Sequence, residues 1–332
     1  MHHVSDKILT VSIAAYNVEK TLPKLLESLI IKNVIGRLQI LIINDGSTDN
    51  TVSVAKKYVA EYPKSIFLIN KKNGGHGSTI NEGIKLAKGK YFKMIDGDDW
   101  VTSDGLIEVV NRLEKENADI VIHDYIDYYE YNDSEQLEKI CKYKDNTFLE
   151  TNKFLTGIEW VRFHGIIYKT SLLKFNRIKL SEKVFYDDIQ YIMYPLPYAR
   201  TVRYYSIPLY CYRLGRIGQS ISIEGRKKHI KDAFLVGKEI TLFIKKERYD
   251  PSLFKYMQNG VVNHWKWYIG TLMSFDINEY TNVNFDELIN FLRHNAENID
   301  CILQKQLFVY RCMTKNRLLN KIIFFFYKMK RG

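Results

Sequence analysis

The chain has 332 residues, which is long enough for two domains or for one large α/β domain with additions. Its 49 lysines and arginines exceed its 38 acidic residues. The net charge of +11 indicates an anionic partner, such as nucleotide phosphates, an acidic membrane surface or nucleic acid.

The four cysteines show neither CxxC pairs nor close histidine spacing, which argues against a zinc site or a disulfide framework and favours a reducing cytoplasm. No run reaches the ~20 apolar residues of a membrane span, and the polar MHHVSDK is unlike a signal segment.

The first hundred residues predict strands and helices in strict alternation. Apolar, β-rich runs alternate with segments whose apolar residues recur at helical spacing, as Leu22, Leu25, Leu26 and Leu29 do. Strands of this apolar kind, separated by amphipathic helices, indicate a parallel sheet covered on both faces. The four strands are predicted at residues 8–15, 38–44, 65–70 and 90–95.

Polar clusters follow each of these four strands. They read YN at 16–17, NDGSTD at 44–49, NKKNGG at 70–75 and DGDD at 96–99. Parallel sheets of this type bind ligands outside the carboxyl ends of their strands. Four polar loops at the same edge therefore predict a ligand site there.

The remainder of the chain changes character twice. Residues 105–225 mix strand-like segments, at 118–129, 165–173 and 201–213, with a helical segment at 184–196. Residues 226–332 are mainly helical, beginning with a segment at 226–247. We therefore predict one domain over 1–225, with a first half at about 1–104 and a second half at about 105–225. The helical C-terminal region would follow it.

The fourth strand runs into three carboxylates in four positions, Asp96, Asp98 and Asp99, which we call the acid cluster. One reading is a turn, because Asp and Gly are common turn residues. A turn accounts for one Asp and one Gly, but not for three repelling acids behind a buried strand. Carboxylate oxygens suit Mg²⁺ or Mn²⁺, which proteins often share with substrate phosphates. The acid cluster therefore predicts a metal–diphosphate site.

Four motifs together resemble family 2 glycosyltransferases with the GT-A fold. They are VSIAAYN at 11–17, LIINDGSTDNT at 41–51, the long segment 73–100 that ends in MIDGDDW, and FYDDIQY at 185–191. The motifs occur in the order that the family has, and the resemblance covers roughly residues 8–225. It implies a Rossmann-like, mostly parallel sheet flanked by helices, with the helical C-terminal extension outside the resemblance. It also implies a nucleotide-binding half at about 1–104 and an acceptor half at about 105–225.

The resemblance also implies roles for the residues of the strand-end loops. Tyr16 would stack on the nucleotide base, Asp45 would bind uracil or ribose, and Lys72 would meet phosphate. Asp98 would bind Mn²⁺ or Mg²⁺ directly, Asp96 would reach ribose or metal, and Asp99 would ligate or support. The further nucleotide-binding residues implied are Ala15, Asn17, Glu19, Gly46, Ser47, Gly74, Gly75 and Gly97.

Two positions depart from the family pattern. The family often has Pro where Ala14 stands and Arg where Ile80 stands. A charge contact made by that Arg would have to come from elsewhere in this chain, with Lys72 and Lys93 as candidates.

The FYDDIQY motif carries the predicted catalytic pair, Asp187 and Asp188. The family places the base that deprotonates the acceptor hydroxyl at the second acid of such a pair, which indicates Asp188 with Asp187 as its neighbour. The alternative is that both acids simply occupy the first turn of a helix, where the helix dipole favours negative charge.

The segment YRLGRIGQSIS, 212–222, is either a basic surface loop or a lid over the diphosphate. In the lid reading, Arg213, Arg216 and Gln219 contact the diphosphate, since guanidinium groups suit phosphate geometry. The Gln-x-x-Arg-Trp motif of the family's processive members is absent from this region, which argues against a processive polymerase.

Candidate acceptor residues are His164, His76 and Trp100. For each histidine, a structural or surface role is the alternative. Trp265 and Trp267 lie at helical spacing and are interpreted as helix packing.

The C-terminal stretch at 317–332 combines IIFFFY with lysines and an arginine. It is either a helix packed on the protein or an interfacial helix on the inner, anionic face of the membrane.

Together these features predict a cytoplasmic, metal-dependent, inverting glycosyltransferase. It would move one sugar from a nucleotide sugar, most simply a UDP-sugar, to a hydroxyl of a glycan or lipid-linked acceptor in capsule or exopolysaccharide synthesis. The alternatives are a non-catalytic nucleotide-sugar-binding module, a nucleic-acid-binding protein and a sugar nucleotidyltransferase. No nucleic-acid-binding motif is evident, so nucleic acid is not expected as a partner. A nucleotidyltransferase would have a Gly-rich, basic loop after strand one, where AAYNVEK stands.

Overall fold

The computed structural model describes residues 7–216, 218–275 and 285–315. The chain divides into two compact units. The first comprises Met1–Lys183 and Asp187–Arg216, and the second comprises Val184–Tyr186 and Ile217–Gly332. The boundary predicted near residue 225 lies inside the second unit.

The first unit is built on a ten-stranded sheet with helices between the strands. Its strands are β1 (Leu9–Ala15), β2 (Leu38–Asn44), β3 (Ile66–Asn70), β4 (Tyr91–Asp96), β5 (Trp100–Val101), β6 (Ile120–Tyr129), β7 (Ser134–Glu138), β8 (Phe148–Glu150), β9 (Ile166–Lys169) and β10 (Thr201–Leu214). Its helices are α1 (Leu22–Leu29), α2 (Thr51–Glu61), α3 (His76–Leu86), α4 (Ser103–Lys115), α5 (Thr151–Leu155), α6 (Thr170–Phe175) and α7 (Asp188–Met193).

The strand order is β3-β2-β1-β4-β9-β6-β10-β5, with β7 beside β6 and β8 beside β10. Strands β1 to β4 pair in parallel, as the alternation of strands and helices predicts. Strand β9 lies antiparallel between β4 and β6, and β10 returns parallel to β6. Because β1 to β4 run in the same direction, their carboxyl ends and the loops that follow them lie at one edge of the sheet.

The core explains why the first strands could be located in the sequence. Every residue of β2 is buried, and β1 is buried except for the partly exposed Ala14. Helix α1 covers the sheet with the four leucines of its predicted stripe, and Pro23 stands in its first turn, where a missing N–H costs no hydrogen bond. Continuous apolar strands and a leucine stripe are the patterns that burial on both faces requires.

Three strands were not predicted, and two helices differ from the prediction. Strand β5 has only two residues, while β7 and β8 are largely exposed, so none of the three shows an apolar run. The stretch 184–196 was interpreted as one helix, but α7 begins only at Asp188, after a left-handed φ of 69° at Tyr186. The stretch 226–247 was also interpreted as one helix, but two helices meet there at His229.

The second unit is helical. Its helices are α8 (Ile223–Lys228), α9 (Ile230–Lys245), α10 (Pro251–Leu272), α11 (Phe285–Asn295) and α12 (Glu297–Lys315). Trp265 of α10 is fully buried, and a Cβ atom on Gly237 of α9 would lie only 2.7 Å from its indole ring. The interpretation of Trp265 as helix packing is therefore confirmed. Within the described ranges no helix has the length and apolar character needed to cross a membrane, and the stretch 317–332 lies outside them.

Candidate active site

The acid cluster stands at the end of β4, where the buried strand meets the edge of the sheet. Carboxylate oxygens of Asp96, Asp98 and Asp99 lie within 4.8 Å of one another. Two unit charges at such a distance repel by roughly 3–4 kcal/mol at an effective dielectric constant of about 20. The turn that carries these three acids supplies no positive charge of its own. Groups from other parts of the chain must therefore reduce the repulsion.

Each carboxylate of the acid cluster has a partner on another element. Asp99 is buried and accepts hydrogen bonds from the Tyr210 hydroxyl and from the backbone N–H of Arg213, the latter at 2.8 Å. Asp98 forms an ion pair with Arg216, whose Nη2 lies 2.7 Å from Oδ2. These contacts reduce the repulsion among the three acids at the end of β4.

The partners do not fully offset the cost of gathering the acids. Burial raises the pKa of Asp98, and the nearby Asp96 raises it further, while Arg216 opposes both. Burial also raises the pKa of Asp99 well above its usual range, with repulsion from Asp98 and Asp96 adding to the effect. Such a site attracts further positive charge. The donor set of hard carboxylate oxygens fits Mg²⁺ or Mn²⁺.

His76 connects the acid cluster to the predicted catalytic pair. The ring stands at the start of α3, with Nε2 3.0 Å from Asp96 Oδ1 and Nδ1 3.0 Å from Asp187 Oδ1. Burial disfavours the charged ring, but the carboxylates of Asp187 and Asp96 outweigh it and raise the pKa of His76 well above its usual value. The cationic ring therefore holds together two segments that lie 91 positions apart in the sequence.

Asp188 opens α7 directly after Asp187. Burial raises the pKa of Asp188 to about 6, the negative charge of Asp187 adds to this effect, and His76 opposes it. A carboxylate with a pKa of about 6 is a better proton acceptor than an ordinary aspartate and is still largely ionised near neutral pH. The geometry thus gives the two acids different surroundings: Asp187 is bonded to His76, while Asp188 carries the raised pKa.

The loop between β3 and α3 is organised around the buried Asp45. Its carboxylate accepts hydrogen bonds from Lys71 Nζ at 2.6 Å and from the backbone N–H groups of Gly74 and Gly75 at 2.9 and 2.8 Å. Gly75 has φ 82°, a conformation that favours glycine. Asp45 therefore fixes the shape of the Gly-rich loop, whatever else it binds. Lys72, the predicted phosphate contact, is exposed.

Two more predicted nucleotide-binding residues join neighbouring loops. The Asn17 side chain accepts from the Thr48 N–H at 2.8 Å, and the Asn17 N–H donates to the Ser47 hydroxyl at 3.0 Å. The Glu19 carboxylate accepts from the Asn50 N–H at 2.8 Å. These bonds connect the loop after β1 to the loop after β2.

The remaining residues of the predicted pocket lie along the same edge. Tyr16 is 52% exposed, so its ring is available for stacking. Ala15 ends β1, and Gly46 adopts a φ of 75° in the loop after β2. A Cβ atom at Gly97 would lie 2.8 Å from the Ala14 carbonyl, so this position of the acid loop has no room for a side chain.

The three predicted lid residues separate in the structure. Arg216 faces the acid cluster through Asp98, whereas the Arg213 guanidinium pairs with Glu130, with Nε 3.1 Å from Oε2. Gln219 belongs to the second unit, where its carbonyl accepts from the Ser222 N–H at 3.0 Å.

The predicted acceptor residues also occupy different surroundings. His164 is buried, and its ring stacks on Tyr212 with centroids 4.0 Å apart. Trp100 is half-buried, and the Lys24 ammonium lies 3.2 Å from its ring centroid, within the range of a cation–π contact. His76 lies in the site, as a connector between carboxylates.

Three residues of the site were missed or placed differently by the sequence. Lys71, which the sequence analysis did not single out, contacts Asp45, while the phosphate contact of its neighbour Lys72 stays a prediction. The Tyr210 hydroxyl donates to Asp99, which lies 111 positions earlier in the sequence, and no local sequence pattern predicts such a contact. Lys93 of β4, a candidate for the missing charge contact, is instead buried, with Nζ 2.7 Å from the His164 carbonyl and 3.0 Å from His123 Nε2.

The sequence of this chain matches a known protein family. The sequence profile described as "Glycosyl transferase family 2" matches residues 10–175, which include the acid cluster and the four strand-end loops. The chain belongs to this family of glycosyltransferases.

Two relatives give the scale of the similarity. "Glycosyltransferase GlyA" of Streptococcus pneumoniae serotype 4 is 30% identical over 229 residues, which are 64% of this chain and 31% of GlyA. The "Uncharacterized glycosyltransferase MG060 homolog" of Mycoplasma pneumoniae is 31% identical over 222 residues, covering 65% of this chain and 71% of that protein. The match thus spans less than a third of GlyA, but most of the second relative.

The fold also matches a solved structure, that of TarS 1-349 of S. aureus in complex with UDP-GlcNAc. The TM-score is 0.67 at 17% sequence identity, and the match covers 97% of this chain and 92% of the TarS chain. At this identity the likeness concerns the fold. The prediction of a GT-A glycosyltransferase fold with a helical C-terminal region is confirmed.

Proposed function

We propose that this glycosyltransferase transfers a single sugar, with inversion and metal assistance, from a UDP-sugar to a hydroxyl of a glycan or lipid-linked acceptor. The observation that carries the proposal is the bridge of His76 between Asp96 of the acid cluster and Asp187 beside Asp188. Through this bridge, the acid cluster, which suits a metal diphosphate, lies close to Asp188, a carboxylate suited to proton abstraction.

In the proposed reaction the donor diphosphate binds at the acid cluster. Asp98 would hold Mn²⁺ or Mg²⁺ together with Asp96, and Asp99 would support them through Tyr210 and the Arg213 N–H. The metal, when bound, supplies Lewis-acid neutralisation of the diphosphate leaving group. Arg216, already beside Asp98, is placed to contact the diphosphate.

Asp188 would take the proton of the acceptor hydroxyl as that oxygen attacks the anomeric carbon. Its raised pKa of about 6 suits this role at neutral pH. Asp187 would not act as the base but would keep α7 in position, because its carboxylate is engaged by His76.

The nucleoside would occupy the edge formed by the first two loops. Tyr16 would stack on the base, and Asp45 would accept a hydrogen bond from uracil or ribose. The hydrogen bonds of Asn17 and Glu19 to the loop after β2 would keep this edge rigid. The shared fold of TarS, solved with UDP-GlcNAc, supports a uridine nucleotide as the donor carrier.

The test is the release of UDP from UDP-glucose, UDP-galactose, UDP-N-acetylglucosamine and UDP-N-acetylgalactosamine in the presence of Mn²⁺. We expect release from at least one donor. We expect Asp188→Asn to lower kcat by about 10²–10⁴-fold, the range typical of a lost general base, while donor binding persists. Absence of both UDP release and donor binding with all four sugars would contradict a UDP-sugar donor.

Asp104→Asn is the matched control for this substitution. Asp104 also lies in the first turn of a helix, α4, and it is exposed. If the acids at 187–188 only complement a helix dipole, Asp188→Asn and Asp104→Asn will both leave kcat unchanged. Asp187→Asn separates the two acids, because we expect it to weaken the His76 contact without removing the base.

We also propose a cytoplasmic site of action on the inner face of the membrane. The support is the net charge of +11 and the basic, apolar sequence at 317–332, which lies outside the described residues. A variant lacking residues 317–332 should lose sedimentation with phosphatidylglycerol vesicles. Sedimentation equal to that of the full chain would contradict this proposal.

A further inference from the structure

A second polar site lies on one face of β6 and β10, toward the carboxyl ends of these two strands. Side chains two positions apart share a face of a strand, so Tyr125, Asp127 and Tyr129 of β6 lie together. The register of the parallel pair places Tyr212 of β10 beside Asp127. The short 3₁₀ turn Phe163–Gly165 covers this face, and His164 stacks on the Tyr212 ring.

Polar atoms on this face lack hydrogen-bond partners. Asp127 Oδ1 and both ring nitrogens of His164 are buried and unbonded within the part of the chain that the structure describes. The Asp127 side chain is only 7% exposed, and burial raises the pKa of its carboxyl to about 6. Buried polar groups are almost always paired, and unpaired ones cost stability, so such atoms are places where a bound water or a ligand is expected.

Arg162 stands over Asp127 without touching it. Its Nη1 lies 4.0 Å from Asp127 Oδ2, beyond the range of about 2.7–3.2 Å for a hydrogen bond, and its side chain is 53% exposed. An oxygen placed about 2.8 Å from both atoms fits this separation. A hydroxyl satisfies both groups at once, because it donates to the carboxylate and accepts from the guanidinium.

The surroundings match a sugar ring better than a charged ligand. Tyr129 and Tyr212 are half-buried, and they offer ring surface next to the Asp127–Arg162 pair. Aromatic walls with a few placed polar groups are the usual make-up of small-ligand sites. The two charges of the pair offset each other, which favours a neutral ligand.

Strand β10 connects this face to the acid cluster. Tyr210 and Arg213, on either side of Tyr212 in β10, both contact Asp99: Tyr210 through its hydroxyl and Arg213 through its backbone N–H. His164 also lies against Tyr210, with ring centroids 4.9 Å apart. Carboxylates of Asp99, Asp96 and Asp188 are near enough to Tyr212 to add to the effect of burial in raising its pKa.

The geometry points to a subsite for a neutral sugar ring of the acceptor, in which Asp127 and Arg162 bind one hydroxyl and Tyr212 lines the ring. This assignment rests on the proposed function, since it places the acceptor of that reaction. The unpaired His164 nitrogens would meet a second hydroxyl or a water that the sugar holds.

The test is the binding of four probes in the presence of Mn²⁺ and UDP, and again without UDP. The probes are the methyl β-glycosides of glucose, galactose and N-acetylglucosamine and the methyl α-glycoside of mannose, observed by saturation-transfer NMR. We expect at least one probe to bind the wild-type chain. Asp127→Asn and Arg162→Gln should each weaken that binding at least tenfold and leave UDP affinity within twofold.

Asp104→Asn and Arg200→Gln are the matched controls, because both side chains are exposed and lie on other elements. Should Asp127→Asn fail to fold, Arg162→Gln carries the test, since that side chain is half exposed. The assignment is overturned if no probe binds the wild-type chain, or if both variants bind the probe as the wild type does. Loss of UDP binding with intact, Asp127-dependent probe binding would contradict the proposed function and leave the subsite standing.

Discussion

The acid cluster at the end of β4 and the Asp127 face of β6 both hold buried carboxylates, but their surroundings differ. In the acid cluster, Asp96, Asp98 and Asp99 each have a bonded partner on another element. Asp127 instead keeps one oxygen unbonded and a guanidinium 4.0 Å away. The first arrangement concentrates more negative charge than its partners offset, which suits a cation. The second presents one nearly balanced pair, which suits a neutral hydroxyl.

The largest effect that tests this comparison is expected at His76, whose ring contacts both Asp96 of the acid cluster and Asp187. His76→Asn retains at most one of the two carboxylate contacts, so α7 and the acid cluster are no longer held together. We expect kcat to fall about 10–100-fold, as is typical when a group that supports metal ligands is lost. Steady-state kinetics of UDP release measures this effect.

His294→Asn is the control for the His76 variant, because His294 is exposed in α11 of the second unit. A kcat for His76→Asn within twofold of the wild type would show that the bridge has no role in turnover.

The pH dependence tests the surroundings of Asp188. Because the proposed base must be ionised and the pKa of Asp188 is about 6, kcat should be flat above pH 7 and fall about tenfold per pH unit well below 6. An ordinary aspartate would remain active to about pH 4. The measurement is kcat from pH 5 to 8, with circular dichroism confirming the fold at each pH. A constant kcat down to pH 5 would remove Asp188 as the base or show that its pKa is not raised.

A smaller effect, on stability, is expected at Asp45. Asp45→Asn offers one acceptor oxygen in place of two, so the bonds from Lys71, Gly74 and Gly75 cannot all persist. We expect the free energy of unfolding to fall by roughly 1–3 kcal/mol in urea titrations. The exposed Asp104→Asn should change it by no more than about 0.5 kcal/mol. Equal stability of both variants would mean that Asp45 does not fix the loop.

The smallest effect is expected at Arg213, which was predicted as a lid residue. Its guanidinium pairs with Glu130 at the surface, and exposed pairs contribute little. Arg213→Gln should alter UDP release less than twofold, whereas Arg216→Gln, which removes the partner of Asp98, should lower it about tenfold. The reverse order would assign the diphosphate contact to Arg213.

The sequence located the sheet because burial leaves a local pattern. Strand β2 lies at the predicted positions, since every one of its residues is apolar or buried and polar turn residues follow it. Strand β7, with its exposed SEQLE, carries no such pattern, and only its pairing with β6 makes it a strand.

The partners of the site residues could not be predicted in the same way. Asp96 and Asp98 stand out in the sequence, but the contacts of His76 with Asp187 and of Tyr210 with Asp99 each join residues 111 positions apart. Such contacts depend on the order of strands in the sheet, which no short window of sequence contains. The Asp127 face illustrates the same limit, because its residues come from β6, β10 and the turn before β9.

The central claim is that the acid cluster binds a metal diphosphate. Calorimetric titration with UDP, with Mn²⁺ and then with EDTA in its place, tests it most directly, using Asp98→Asn and the control Asp104→Asn. We predict Mn²⁺-dependent binding of UDP that is lost in Asp98→Asn and kept in Asp104→Asn. Binding of UDP that is the same with and without Mn²⁺, or unchanged in Asp98→Asn, would contradict the claim.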